Sequence, residues 1–435
     1  MSMNEAIGCC GGSYSLLECH EQYKKSMKIL LINKYHYLKG GAERAYFDMA
    51  RILVEHGHEV AFFSMHDPNN VSTTWERYFV ESVDYGALDL SLVERLRMAG
   101  RILWNHEANR KLAALLQEFQ PDIAHAHNIY HQLSPSILWT LRKHGVPIVM
   151  TLHDYKVISP NYSLFVRGQI WDHTSGLRCL VDRCVKDSVV KSLVCAIEQW
   201  LHRLLRSYAL VTVFVAPSRF LQEKFQAHGF SGHIEHLPNS LSARDISSET
   251  HTHHQKRFQN FLFFGRLSHE KGVDVLIRAF ASLPPHMTLD VVGDGPHRTT
   301  LEKLAETLGV SPRVKFLGSR FGSDLESLKR DAFAVIIPSS WYENFPYVIT
   351  ESLQSGCLLL AARIGGIPER IRHGENGFLF EPCNPESLVS VILSLDRFDL
   401  ETIRKQASAS VVDLSESVFY EHLMDIYRMA AMPRS

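Results

Sequence analysis

The sequence contains no long uninterrupted run of apolar residues and carries almost no net charge. The first absence predicts that no helix crosses a membrane, because a transmembrane helix needs about 20 consecutive apolar residues. Lys and Arg number 46 against 47 Asp and Glu. The chain therefore has no overall positive field, we expect no nucleic-acid partner, and any anionic ligand must be bound by a local patch.

Cysteine is also scarce. The 435 residues contain 8 cysteines, which are neither dense nor evenly spaced: Cys9, Cys10, Cys19, Cys179, Cys184, Cys195, Cys357 and Cys383. This usage favours a reducing cytoplasm. Cys179 and Cys184 lie in a long loop near His173, but a zinc site would need a fourth ligand that the sequence does not identify. We therefore predict two reduced thiols and no metal site.

The N-terminal stretch lacks the apolar core of a signal peptide, since Glu5, Gly11, Gly12 and Glu18 interrupt it. The rest of the chain is too long for one ordinary hydrophobic core, which predicts two domains. The expected divisions are a disordered extension 1–26, a first domain 27–241, a linker 242–257, a second domain 258–412, and a C-terminal helix 413–435 that crosses back to the first domain.

Buried strands alternate with helices in both predicted domains. In the first, the apolar strand Lys28–Asn33 leads through Gly40 and Gly41 into a helix with a helical apolar period, and the second domain repeats the pattern from Phe261. This order predicts an α/β fold with parallel sheets. Near the end of the second domain, Asn376-Gly377-Phe378-Leu379-Phe380 predicts a hairpin-like segment. The Gly40-Gly41 pair would let the backbone approach a phosphate or sugar closely, although a simple tight turn would use the same residues.

One stretch in the second domain joins a strand to a helix through an aromatic turn. The apolar strand Ala334–Ile337 precedes Glu343, and a helix should begin near Pro346, since Pro is tolerated in a first helical turn. Ligands bind at the carboxyl ends of strands in open parallel sheets. Glu343 and Glu351 can therefore place two carboxylates at one end of a crevice.

A turn earlier in the second domain carries two cations. Arg266 and Lys271 flank the turn that follows the strand from Phe261. Two cations beside a helix N-terminus favour a diphosphate, because charge, dipole and free amides all attract an anion. The alternative is a surface pair satisfied by Glu270 or Asp274.

Two strands of the first domain end in polar residues. One delivers His127 and the next delivers His153 and Asp154, followed by Tyr155, to the edge where chemistry is expected. Either histidine could instead be satisfied by neighbouring backbone.

Two further segments of the first domain have open interpretations. Residues 88–119 predict one long or two shorter helices, and this basic apolar face can rest on anionic lipid or be simply solvated. Its cations are Arg95, Arg97, Arg101, Arg110 and Lys111. The long loop from Ser159 to Asp187 predicts a lid or an acceptor loop.

In combination and in this order, the motifs resemble those of the family-four retaining glycosyltransferases with the GT-B fold. The resemblance spans about Met27 to the C-terminus. It rests on Gly40-Gly41-Ala42-Glu43-Arg44, His125-Ala126-His127-Asn128, Thr151-Leu152-His153-Asp154-Tyr155, Ala216-Pro217-Ser218, Leu237-Pro238-Asn239, Gly265-Arg266-Leu267 with Lys271-Gly272, Gly293-Asp294-Gly295-Pro296, Glu343 with Glu351, and Gly365-Gly366-Ile367-Pro368-Glu369. It implies two Rossmann-like, doubly wound parallel-sheet domains that face each other across a cleft.

The resemblance also implies residue roles. Arg266 and Lys271 look like the diphosphate clamp, Glu351 like the ribose ligand, and His127 like a histidine near the anomeric carbon. Glu343 would hold the donor sugar as a binder rather than a covalent catalyst. The implied catalytic residues are His127, Glu343, Arg266 and Lys271; the donor-binding residues are Gly40, Gly41, Arg266, Lys271, Glu343, Asn344, Phe345, Tyr347 and Glu351; the acceptor-side candidates are His153, Asp154 and Tyr155.

The implied activity is transfer of a sugar, with retained configuration, from a nucleotide diphosphate sugar to a hydroxyl of a glycan or lipid-linked glycan in cell-surface polysaccharide synthesis. No metal or other cofactor is expected, because the clamp supplies the cations. The enzyme would work in the cytoplasm or on the cytoplasmic face of an anionic membrane. A same-fold epimerase or phosphorylase, or an inactive sugar-nucleotide-binding scaffold, remains open. A glycosidase is disfavoured, because a diphosphate clamp would serve no purpose in a hydrolase.

Overall fold

The computed structural model describes residues 26–83, 91–241 and 260–432, except for the side chains of Leu92 and Arg95. The predicted linker 242–257, nearly all of the predicted extension 1–26, Cys9, Cys10, Cys19 and the side chain of Arg95 lie outside the described residues. Within the described part of the chain, no helix is long and apolar enough to cross a bilayer.

The first domain is built on a parallel sheet. Its strands are β1 (Lys28–Ile32), β2 (Glu59–Phe63), β3 (Ile123–Ala126), β4 (Ile148–Thr151), β5 (Phe165–Val166), β6 (Gln169–Ile170), β7 (Val213–Ala216) and β8 (Ile234–His236). Its helices are α1 (Gly41–Glu55), α2 (Leu92–Leu103), α3 (His106–Phe119), α4 (Ile137–Lys143), α5 (Gly176–Asp182), α6 (Val189–Leu204) and α7 (Arg219–Ala227). The sheet has 6 strands in the order β2-β1-β3-β4-β7-β8, all parallel.

The second domain repeats this design. Its strands are β9 (Asn260–Phe264), β10 (Thr288–Val292), β11 (Val314–Gly318), β12 (Ala334–Ile337), β13 (Leu359–Ala362) and β14 (Phe378–Phe380). Its helices are α8 (Val273–Ser282), α9 (Arg298–Thr307), α10 (Gly322–Asp331), α11 (Tyr347–Gln354), α12 (Pro385–Ser394) and α13 (Leu400–Ala409). The parallel order is β11-β10-β9-β12-β13-β14. The predicted α/β class with two doubly wound sheets is confirmed.

The last helix, α14 (Glu416–Ala431), packs on the first domain. Leu423 and Tyr427 are fully buried in a cluster with Leu31 of β1. The Tyr427 hydroxyl lies 2.9 Å from Nδ1 of His125 in β3. The C-terminus of the second domain is therefore held against the back of the first sheet.

Two local predictions are wrong. The segment Asn376–Phe380 reads as a hairpin in the sequence, but β14 is the sixth parallel strand and pairs with β13. Its three residues Phe378, Leu379 and Phe380 are all buried, so both faces of the strand need cover that a surface hairpin would not supply.

The second error concerns the loop from Ser159, which contains β5, β6 and α5. Cys179 and Cys184 in it form a disulfide with Cα atoms 4.8 Å apart, rather than two reduced thiols. Helix α5 ends in a left-handed residue, Arg183, with φ of 49°. That turn brings the Cys184 amide within 2.9 Å of the Cys179 carbonyl oxygen, so the two thiols meet.

Candidate active site

The turn after β12 holds a buried, charged carboxylate. Glu343 is only 5% exposed. Its Oε1 lies 2.6 Å from Nζ of Lys271 and accepts a hydrogen bond of 2.7 Å from the Ser339 hydroxyl. Burial raises the pKa of Glu343, but the charge and hydrogen bond of Lys271, together with further hydrogen bonds such as that from Ser339, outweigh burial and leave that pKa below its ordinary value. Glu343 is therefore an anion at neutral pH.

Two glycines hold this turn in place. A Cβ at Gly365, which has φ of +61°, would lie 2.3 Å from the Glu343 carbonyl oxygen. The Gly366 amide donates to that same oxygen at 2.7 Å. Only glycine, which has no Cβ, lets the two backbone segments come this close. The Gly365-Gly366 pair therefore fixes the backbone position of Glu343.

Lys271 and Arg266 occupy different environments on their turn. Lys271 ends a short 3₁₀ turn, His269–Lys271, between β9 and α8, and pairs with Glu343 rather than with the Glu270 or Asp274 considered from the sequence. Arg266 is exposed. Gly272 follows with φ of +66°, and a Cβ there would lie 1.9 Å from the Pro338 carbonyl oxygen. The turn that carries Lys271 is therefore in close backbone contact with the turn that carries Glu343.

Three histidines of the first domain stack at the carboxyl ends of β3 and β4. The ring centroids of His125 and His127 are 4.9 Å apart, and those of His127 and His153 are 5.1 Å apart. Nδ1 of His127 lies 2.8 Å from Nε2 of His153. His125 is held between Tyr427 and the Thr151 hydroxyl, which is 2.7 Å from its Nε2.

Burial keeps all three imidazoles neutral. It lowers the pKa of His125 to about 3 and that of His153 to about 4, and it lowers the pKa of His127 well below its ordinary value. Among the described residues, Nε2 of His127 has no hydrogen-bond partner, although the atom is buried. A buried polar atom of this kind can receive a ligand hydroxyl.

Asn344, the residue after Glu343, ties the two domains together. Its Nδ2 donates to the His153 carbonyl oxygen at 2.8 Å, and its Oδ1 accepts from the Tyr155 hydroxyl at 2.6 Å. These bonds put the donor-side turn beside the strand end that carries the acceptor-side candidates. Asp154 there accepts a hydrogen bond from the Tyr130 hydroxyl, and burial raises the pKa of Asp154.

Glu351 forms a second link across the cleft. It lies in α11 and makes an ion pair with Arg44 of α1. The Arg44 guanidinium also lies 4.5 Å from the ring centroid of Tyr347. A Cβ at Gly41 would lie 3.5 Å from that ring, an ordinary van der Waals contact, so Tyr347 does not by itself require glycine there. The predicted ribose ligand is thus matched by a cation of the other domain.

The remaining donor-side candidates lie near this link. Gly40 is the extended residue before α1, with φ of −171°. The ring of Phe345 is half-buried, and the Arg370 guanidinium lies 5.5 Å from its centroid. Within the described chain, the buried Tyr347 hydroxyl has no hydrogen-bond partner. It therefore offers a second free polar group to a ligand.

Three cleft residues received no predicted role. Two of them, Arg44 and Glu369, occur in the motifs quoted above. The fold shows that Glu369 accepts hydrogen bonds from the Arg219 and Phe220 amides at the start of α7, at 3.0 and 2.6 Å. Lys34 lies 3.7 Å above the Tyr130 ring, and burial lowers its pKa to about 8. The sequence signal that could have marked Lys34 as a cleft residue is its position shortly after the apolar strand β1.

One group outside these contacts has the residue types of a metal site. The ligand atoms of His131, Cys195 and Glu198 lie within 4.8 Å of one another. However, the Lys156 ammonium lies 2.8 Å from Glu198, and both side chains are buried. Glu198 already has a cation beside it, so the cluster does not need a metal ion to balance its charge.

Two family models match consecutive parts of the chain. Residues 39–243 match the model described as Glycosyltransferase Family 4, and residues 247–402 match the one described as Glycosyl transferases group 1. The chain is a family-four glycosyltransferase of the GT-B fold. This glycosyltransferase is 26% identical over 371 residues to an uncharacterized 42.6 kDa protein in the cps region of Klebsiella pneumoniae, a match that covers 82% of this chain and 90% of that one.

Other relatives agree with that assignment. The glycosyltransferase is 23% identical over 411 residues to N-acetyl-alpha-D-glucosaminyl L-malate synthase of Bacillus anthracis, covering 89% of this chain and 95% of that one. The crystal structure of Anabaena HepE in complex with UDP is similar with a TM-score of 0.60 at 22% identity, covering 92% of this chain and all of the other. The likeness to HepE concerns the fold.

Proposed function

We propose that this glycosyltransferase moves a sugar from a uridine diphosphate sugar to a hydroxyl of a glycan, with retained anomeric configuration. The observation that carries the proposal is the pairing of Lys271 with the buried Glu343 beside the turn where Asn344 meets His153. Cation, carboxylate and imidazole are thereby gathered at the carboxyl ends of two parallel sheets. The uridine base is suggested by HepE, which was crystallised with UDP.

Each residue has a part in this proposal. Lys271 and Arg266 offset the negative charge that develops on the departing diphosphate. Glu343, which is held as an anion, accepts hydrogen bonds from donor-sugar hydroxyls, and Nε2 of His127 meets a hydroxyl near the anomeric carbon. Glu351 exchanges Arg44 for the ribose hydroxyls when the donor binds. No step needs a covalent bond to the protein.

The bond changes are those of a same-face displacement. The acceptor hydroxyl oxygen bonds to the anomeric carbon as the bond from that carbon to the diphosphate oxygen breaks. The electron pair of the broken bond goes to the diphosphate, and the hydroxyl proton passes to the leaving phosphate oxygen. The acceptor enters beside Asp154 and Tyr155. A glycan acceptor, free or lipid-linked, is suggested by the structural neighbour WaaG, a glycosyltransferase involved in lipopolysaccharide biosynthesis.

The test is release of nucleoside diphosphate from a panel of sugar nucleotides with and without glycan acceptors. We expect acceptor-dependent release of UDP, and nuclear magnetic resonance of the product should show the anomeric configuration of the donor. Turnover without acceptor would indicate an epimerase or hydrolase, and dependence on inorganic phosphate would indicate a phosphorylase. No turnover with any donor, despite nucleotide binding, would favour the inactive scaffold.

A further inference from the structure

An apolar stripe lies uncovered along helix α6. Val189, Leu193, Ile197, Trp200 and Leu204 are 50%, 43%, 40%, 64% and 64% exposed. Their spacing of three or four residues puts them on one side of the helix, while the opposite side buries Cys195, Glu198 and His202. Large apolar side chains in a row are unusual on a surface that faces only water.

Helix α5, which packs against α6, also exposes large apolar side chains. Leu177 and Val181 of α5 are 78% and 75% exposed. The two helices form an antiparallel hairpin: a Cβ at Gly176 would lie 3.2 Å from that of Ala196, and the Val185 amide donates to the Ser192 hydroxyl at 3.1 Å. The Cys179–Cys184 disulfide closes its bend. We call these seven exposed side chains the hairpin face.

The segment that carries the hairpin face has more cations than acidic residues, and each of its acidic residues is paired. Residues 176–206 contain the cations Arg178, Arg183, Lys186, Lys191, Arg203 and Arg206. The acidic residues of the same segment are Asp182, Asp187 and Glu198, which pair with Arg178, Arg167 and Lys156. Lys186 and Lys191 are exposed, so the segment presents apolar groups with net positive charge to solvent.

We propose that the hairpin face docks this glycosyltransferase on an anionic lipid bilayer. An apolar helix stripe with an indole group and flanking lysines matches a bilayer surface, because acyl chains accept the apolar groups and acidic headgroups attract the cations. The basic face expected for residues 88–119 is less suited. Arg101 and Lys111 there are paired with Glu107 at 2.8 and 3.1 Å.

Docking by this face would place the acceptor side of the cleft at the lipid. The buried side of α6 carries Glu198, which lies 2.8 Å from Nζ of Lys156, and the Lys156 amide donates to Asp154 at 2.9 Å. The segment that bears the acceptor-side candidates thus rests directly on the docking helix. A lipid-linked glycan would then reach the cleft without leaving the bilayer.

The experiment is sedimentation of the full chain with vesicles at low salt, without donor or acceptor. The vesicles are phosphatidylcholine alone, or equal parts phosphatidylcholine and phosphatidylglycerol. We expect binding to the anionic vesicles and a fall in partition of about tenfold or more for the double variant Ile197→Gln, Trp200→Gln. The matched control is Leu393→Gln, a 50% exposed leucine of α12, which should bind like the wild type.

A second double variant tests charge. Lys186→Gln with Lys191→Gln should weaken binding to anionic vesicles by about tenfold or more, whereas Lys405→Gln on α13 should not. Circular dichroism must show that all variants are folded. Equal binding by wild type and the α6 variants, or no binding at all, would overturn the proposal. The proposal would also be overturned if light scattering showed an oligomer that the α6 substitutions dissociate, because the apolar stripe would then be a protein–protein interface. None of these outcomes depends on glycosyl transfer.

Discussion

Glu343 would tend to become neutral if burial acted alone, and Lys271 keeps it charged. We predict that Lys271→Met lowers turnover at least tenfold, equivalent to about 1.4 kcal/mol or more of transition-state stabilisation. Without the ammonium the pKa of Glu343 rises, so the acid limb of the kcat/KM profile should move to higher pH. Steady-state kinetics across pH measures both effects. The exposed Lys405→Met is the control, and a wild-type profile in Lys271→Met would remove Lys271 from the site.

Glu351 has two candidate tasks, to bind ribose and to pair with Arg44. Glu351→Ala should lower turnover at least tenfold, about 1.4 kcal/mol. Arg44→Ala removes the ion pair but leaves the carboxylate for the donor, so its loss of turnover should be smaller. Comparing the turnover rates and the donor KM of the two variants distinguishes ribose binding from pairing with Arg44. Equal losses in both variants would show that Glu351 acts through Arg44 rather than through ribose.

The lowered pKa values of the buried His125 and the half-buried His153 make stability depend on pH. The pKa of His125 is lowered from 6.5 to about 3 and that of His153 to about 4. Above pH 6.5 the two histidines are neutral in both the folded and the unfolded chain, and their contribution to the free energy of unfolding is fully present. As the pH falls below 6.5 only the unfolded chain gains protons, so stability falls by up to about 1.4 kcal/mol per pH unit for each histidine.

Urea unfolding between pH 7 and about pH 4.5 would measure this slope. His125→Gln keeps a polar group between Tyr427 and Thr151 but cannot titrate there. We expect a shallower loss of stability with falling pH in that variant. His144→Gln is the control, because it is the same substitution at an exposed position. Parallel curves for wild type and His125→Gln would refute the assignment.

At the scale of elements, the turn before α11 depends on a backbone contact with Gly365. Gly365→Ala should displace the Glu343 turn and lower both stability and donor affinity, because its Cβ would lie 2.3 Å from a carbonyl oxygen. Gly309→Ala is a matched control: Gly309 has a similar φ of +68° but no atom within 4 Å of a new Cβ. Both variants carry the left-handed backbone cost of about 1 kcal/mol.

Thermal unfolding and donor titration of the two alanine variants therefore isolate the steric contact from backbone strain. An equal effect of the two substitutions on both measurements would argue that Gly365 is needed only for its φ.

The sequence predicted the alternation of strands and helices in both domains but not the order of the strands in each sheet, and it misread some local elements. Runs such as Ile29 to Ile32 are apolar throughout, and this is typical of strands covered on both faces. The residues Phe378 to Phe380 have the same character in a shorter run next to Asn376-Gly377, a dipeptide that also favours hairpins. The helices α12 and α13 were not predicted. The disulfide was missed because cysteine spacing does not reveal whether a helix end brings two thiols together.

At the scale of the whole molecule, the two domains are joined by several polar contacts around the cleft. The Glu369 carboxylate caps the first turn of α7 from the opposite domain, a contact that favours the closed arrangement. We predict that Glu369→Ala increases the radius of gyration of the donor-free enzyme and raises the KM for the donor by about tenfold or less.

Small-angle X-ray scattering with and without UDP measures the opening, and UDP should restore much of the compact form. Glu375→Ala is the control, because Glu375 is exposed and pairs with the nearby Arg372 of its own domain. An unchanged radius of gyration in Glu369→Ala would mean that the other links suffice to hold the domains.

The sequence by itself determined the family, the two-domain alternation and the set of polar residues at the strand ends, because these features depend on local periodicity and on motifs of contiguous residues. Only the tertiary structure decided the pairing of those residues. Lys271 meets Glu343, Glu351 meets Arg44, and Asn344 meets His153 across distances in sequence of 72, 307 and 191 residues. The first contact joins the ends of two neighbouring strands of one sheet, and the other two join the two domains. All three depend on tertiary placement, which no local pattern encodes. The same reason applies to the hairpin face, because only the fold shows that its apolar side chains are exposed.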